Sequence, residues 1–141
     1  MRARFRGVSL RKTFDWGKPQ DYNFFRKGGV DIMFKAAHII MALNADPAQH
    51  RALIKSDVFE YTMVVTPLFD FDQAARICKE LVENEGVQWI SLCPGFSHEA
   101  VAKIRNAVGD GVAITVSRGD VTSTLIVDYI LTKEGWLPPG H

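Results

Sequence analysis

Residues 70–85, "DFDQAARICKELVENE", carry apolar side chains at Phe71, Ala74, Ala75, Cys78, Leu81 and Val82, offsets of 0, 3, 4, 7, 10 and 11. That spacing fits one face of an α-helix and no strand, and Gly86 supplies a C-terminal stop. On either side lie runs rich in β-branched and aromatic residues, "VFEYTMVVTP" at 58–67 and "VQWISLC" at 87–93, which read as strands. A helix of this kind between two strands is a crossover, so the strands it joins run parallel and the helix covers the sheet.

The alternation continues in both directions. "FKAAHIIMAL", residues 34–43, is almost uninterrupted apolar sequence and reads as a strand covered on both faces. In "NADPAQHRALI", Asp46 before Pro47 is the pattern of an N-cap followed by proline at the first helical position, which predicts a short helix to about Ile54. Ser97 predicts an N-cap for a helix through Val108, with Ala100, Val101, Ile104, Ala107 and Val108 on its inner face. "GVAITVS", residues 111–117, is a fourth strand. From Val121 the β-branched content favours a strand, but Asp120 as N-cap, Gly135 as stop and the shared face of Ile126, Val127, Ile130 and Leu131 predict a helix. The expected class is α/β, a single domain with a mostly parallel four-stranded sheet and helices packed on it.

Charge divides the chain of 141 residues unevenly. Residues 1–32 hold eight Lys or Arg and three Asp, a balance of +5, whereas residues 33–141 hold nine basic and thirteen acidic side chains, a balance of −4. The aromatics of the first segment recur at neither helical nor strand spacing, and glycines interrupt it throughout. Lys27, Gly28 and Gly29 are encodable as a purine-rich ribosome-binding sequence, three codons before Met33. The expectation is that residues 1–32 are a poorly structured basic leader from an upstream start and that residues 33–141 form the α/β domain.

Without the basic segment the domain is acidic, which removes the argument for a nucleic-acid partner. No apolar run approaches the roughly 18 residues of a membrane span, so no membrane partner is expected. Cys78 and Cys93 are too few for a disulfide framework, and a reducing cytoplasm is the default location. A domain of this size gains burial by self-association, which makes a homo-oligomer the expected state.

Chemistry concentrates after the third strand, at "CPGFSHE", residues 93–99. In an open α/β sheet ligands sit at the carboxyl ends of strands, and the helix starting near Ser97 points backbone N–H groups and its dipole at the same crevice. The expected ligand is a small-molecule anion held by Gly95, Phe96, Ser97 and Arg118, with Asn44 at the end of the first strand. The alternative is a small enzyme with Cys93 as nucleophile, or with His98 and Glu99 transferring protons. The competing structural reading makes Cys93 a buried strand-end residue, Ser97 a helix cap and Arg118 a surface ion-pair partner of Asp120. Cys78, on the apolar face of its helix, reads as core, and His38 as a hydrogen-bonded core histidine. Cys93, His98, His38 and His50 match no compact zinc spacing, so no metal is expected, and no motif names a cofactor.

"MFKAAHII", "ADPAQHR" and "ISLCPGFSHEAVAKIRNAVG" together resemble a family of small, uncharacterised prokaryotic α/β proteins, a domain of unknown function. The resemblance spans about residues 33–116 and is most specific in a C-x-G-F-x-H-E element, here Cys93, Gly95, Phe96, His98 and Glu99. It implies an α/β fold and carries no activity.

Overall fold

The computed structural model describes residues 33–119 and 121–138, all within the unit Met33–His141. The expected basic leader over residues 1–32 lies outside the described residues. The elements are β1 (Phe34–Ala42), β2 (Arg51–Lys55), β3 (Phe59–Pro67), α1 (Phe71–Glu85), β4 (Trp89–Leu92), α2 (His98–Val108), β5 (Ala113–Val116) and α3 (Val121–Lys133). One sheet runs in the order β2-β3-β1-β4-β5. β1 is parallel to β3 and β4, β4 is parallel to β5, and β2 is antiparallel to β3. The class is α/β, but the sheet is mixed and five-stranded where the sequence predicts four mostly parallel strands.

The extra strand replaces the helix expected up to Ile54. The Asp46 carboxylate does act as a local cap, accepting from the Ala48 N–H at 3.0 Å and from the Gln49 side chain at 2.6 Å, while the Gln49 and His50 N–H groups return to the Asp46 carbonyl. A single turn results. At His50 the backbone passes to the sheet, its carbonyl accepting from the Val65 N–H at 2.9 Å. "RALIK" then pairs Arg51 with Val64 through Lys55 with Glu60. β1 and β3 are parallel neighbours, so the chain must travel back along the sheet between them, and β2 makes that return in extended form. Pairing with β3 overrides the helical propensity of Ala, Leu and Lys. Arg51 and Lys55 at the two ends of this edge strand limit further strand addition.

The connections β3–α1–β4 and β4–α2–β5 both step toward the β5 edge, and right-handed crossovers in one direction put both helices on one face. There, Ala37, Ile39, Met41, Val64, Ile90 and Leu92 from the strands meet Ala74, Cys78, Leu81, Ala100 and Ile104 from the helices in one buried core. α1 begins at Asp70, whose carboxylate accepts from the Gln73 N–H at 2.8 Å. It ends at Gly86, whose φ of 73° is a left-handed cap that glycine adopts without strain. α3 forms a helix, as its end signals predict, and closes at Gly135 with φ 75°. No helix among the described residues is long and apolar enough to cross a membrane.

The opposite face of the sheet departs from expectation. β1 is central in the sheet, yet among the described residues no helix covers its second face: Phe34 is exposed, His38, Ile40 and Ala42 are only half-buried, and the small Ala36, paired with Tyr61 and Trp89, is buried. The uninterrupted apolar run therefore marks one helix-covered face and one apolar face that the helices leave bare.

Candidate functional site

The 93–99 loop leaves β4 at its carboxyl end, turning through a bond from the Phe96 N–H to the Cys93 carbonyl at 3.3 Å. Gly95 is small because of what lies beneath it: a Cβ there would stand 2.8 Å from Met41 Cε and 3.9 Å from Cys93 Sγ. Phe96 drives its ring into the core with 0 % exposure, 5.8 Å centroid to centroid from Phe71. Phe71 in turn meets the exposed ring of Phe69 edge-on at 6.2 Å. Phe69 has φ 61°, a conformation uncommon for a bulky residue, and composition alone carries no signal for it.

Arg118 reaches across the loop, its Nη1 donating to the carbonyls of Phe96 at 3.2 Å and Pro94 at 3.4 Å. Those bonds tie the segment after β5 to the loop after β4. The alternative ion pair with Asp120 lies outside the described residues. Arg118 is itself exposed, and two carbonyls leave part of a five-donor guanidinium facing outward.

The N-terminus of α2 satisfies itself to a degree that sequence does not reveal. Ser97 caps it, Oγ accepting from the Ala100 N–H at 3.2 Å, and the Val101 N–H returns to the Ser97 carbonyl. The Glu99 carboxylate, in the first turn, is held below the usual carboxylate range by its own backbone N–H, then by the Ser97 hydroxyl and His98 nearby. The helix end thus already carries an anion of its own.

The remaining predicted residues are placed as follows. Cys93 is half-buried and packs against the core, while His98 and Glu99 are exposed. No hydrogen bond joins Cys93 to His98 among the described residues. Asn44 is exposed in the turn after β1 with φ 54°, a left-handed conformation that asparagine tolerates. Thr66, fully buried, donates its hydroxyl to the Ile40 carbonyl at 3.3 Å. His50 is exposed, and its Nδ1 accepts from the Asp46 N–H at 2.8 Å. His38 departs from the expected hydrogen-bonded core histidine: its buried Nε2 has no partner among the described residues. No group of three or more His, Cys, Asp or Glu among the described residues is arranged to hold a metal ion.

Acid stability follows from these environments. Burial lowers the pKa of His38 from its ordinary 6.5, so the unfolded chain takes up the proton first. The stability associated with the neutral ring is complete above about pH 6.5 and declines as pH falls towards the lowered folded value. Glu60, held low by Lys55 and then Lys35, and Asp72, held low by Lys103, act in the same direction. Their contributions are present above the ordinary carboxylate values of 4.5 and 3.8 and are lost as pH falls through the depressed folded ones. Urea midpoints measured from about pH 8 downward should therefore fall first below about 6.5 and again below about 4.5. A midpoint that rises between neutrality and pH 5 contradicts the assignment for His38.

With two crossover helices on one face of a mixed sheet and a clamped loop at its carboxyl edge, the molecule is a small α/β domain. Within that class the sequence has a family: the chain belongs to DUF6506, a family of unknown function whose model matches residues 34–130. The resemblance to uncharacterised α/β proteins is met at the level of that family. No curated protein and no solved structure matches the chain.

Proposed function

We propose that the protein is a binding module for a small anion, a carboxylate or phosphate, taken at the carboxyl edge of β4 and β5. The observation that carries this reading is Arg118, whose guanidinium is fixed by the Phe96 and Pro94 carbonyls yet remains exposed. An arginine oriented in this way has less rotamer freedom to lose when it meets an anion in a bidentate pair. His98, exposed at the first turn of α2, offers a second nitrogen donor, and Ser97 and Gly95 shape the loop that presents both. Glu99 opposes the ligand by charge, which favours a compact anion that engages Arg118 directly.

The test is thermal shift and two-dimensional NMR with inorganic phosphate and citrate. At a ligand concentration ten times Kd the native state gains about 1.4 kcal/mol, and Arg118→Gln should abolish that gain and the accompanying amide shifts in residues 95–99. Equal gains in wild type and Arg118→Gln, or shifts confined to other parts of the chain, would falsify the reading.

A further inference from the structure

We infer that the bare face of the sheet is the contact surface of a homodimer, on which a second copy of the chain packs its own sheet face, with α3 completing the buried surface. The register defines that face. Phe34 pairs with Phe59, Ala36 with Tyr61 and Trp89, His38 with Met63 and Ser91, Trp89 with Ala113, and Ile54 with Tyr61. All of these alternate with the helix-covered residues and so point the other way.

The chemistry of the face favours a copy of itself. None of the strand residues on it is Asp, Glu, Lys or Arg, whereas Lys35, Arg51, Lys55 and Glu60 all belong to the register of the opposite face. Two such faces meet without like-charge repulsion, and a charged partner finds nothing to pair with. At one end Phe34 stacks on Phe59 at 5.5 Å and on Trp89 at 6.2 Å, forming an aromatic patch of the kind that anchors interfaces. At the centre lies the buried Nε2 of His38, without a partner among the described residues.

The available area is of the right order. Five strands about 4.8 Å apart and some six residues long on average make a face of roughly 500 Å² before side-chain relief. α3 adds to it, because Leu125, Ile126, Val127, Tyr129 and Ile130 point in most directions around the helix and are all exposed, Leu125 at 79 %. Among the described residues no strand or helix packs extensively along α3. A helix apolar on most sides is one that is buried in use, and the sum approaches the roughly 800 Å² per partner of a stable interface.

The experiment is sedimentation equilibrium on the full 141-residue chain, wild type and three single variants. The wild type should be dimeric at tens of micromolar. Met63→Glu at the centre, Ile54→Glu on the edge strand and Tyr129→Glu on α3 should each raise the dimer Kd by at least about 100-fold, with far-UV circular dichroism unchanged. Ile54 and Tyr129 are 68 % and 67 % exposed, so these two variants keep the test valid even where Met63→Glu fails to fold. A monomeric wild type overturns the proposal. So does a dimer that Ile54→Glu leaves intact, including one weakened by Tyr129→Glu alone.

Discussion

Replacement of Phe96 by alanine is expected to destabilise the protein by about 3–5 kcal/mol, the usual loss for a fully buried aromatic ring. Few small domains have more than 5–15 kcal/mol to lose, so the variant should unfold at a small fraction of the wild-type urea midpoint or fail to fold at all. The ring is 0 % exposed and packs on Phe71, and it sits one residue before the cap of α2. Its loss therefore opens a cavity under the loop and frees the backbone that Arg118 clamps. Phe96→Leu, which keeps most of the volume, should lose under about 1.5 kcal/mol. A Phe96→Ala unfolding free energy within about 1 kcal/mol of wild type would mean that the ring contributes elsewhere than in the core. The result separates two roles within Cys93–Glu99, since an aromatic that holds the loop down is lost from stability before it is lost from binding.

Which parts of this architecture are visible in sequence depends on whether local or distant contacts decide them. α1 is legible because Phe71, Ala74, Cys78 and Leu81 repeat at the helical period and Gly86 provides the stop, while the cap by Asp70 shows only in the structure. α3 is legible from Gly135, which supplies the left-handed cap, and from the face shared by Ile126, Val127, Ile130 and Leu131, although Leu125 and Tyr129 extend the apolar surface around the axis. β2 is illegible because Asp46 and Pro47 do form the local turn they signal, and nothing local says that the turn ends at His50. The ladder to β3 decides that, through residues some ten positions further on.

The candidate site divides along the same line. Its position after β4 follows from strand order, and Ser97 as a cap follows from its type and the helix after it. Arg118 is visible as a basic residue at a strand end, but its acceptors are backbone carbonyls 22 and 24 residues away, which no side-chain pattern encodes. The Glu99 carboxylate turned back on its own helix end is equally hidden, and it changes the electrostatic reading of α2. The bare face shows a further limit. Phe34, Phe59 and Trp89 stand in runs that read as strands, yet only the register shows that they share a side. An apolar run cannot report whether its second face is covered by its own chain or by another.

Treatment of the native protein with iodoacetamide should modify Cys93 and leave Cys78 untouched until denaturant is added. Cys78 is fully buried on α1, and burial pushes its thiol up to about 12. Near neutral pH that leaves a thiolate fraction on the order of 10³-fold below that of an ordinary cysteine, before shielding from the reagent is counted. Mass spectrometry should find one adduct on the folded chain and two on the unfolded one. The same labelling decides the nucleophile reading of Cys93. If His98 supports a thiolate there, His98→Ala reduces the labelling rate several-fold. If Cys93 is only a strand-end residue packed on the core, His98→Ala leaves its labelling rate unchanged. The second outcome removes the enzyme alternative based on Cys93 while leaving the Arg118 anion site untouched, because the guanidinium and the thiol answer to different probes.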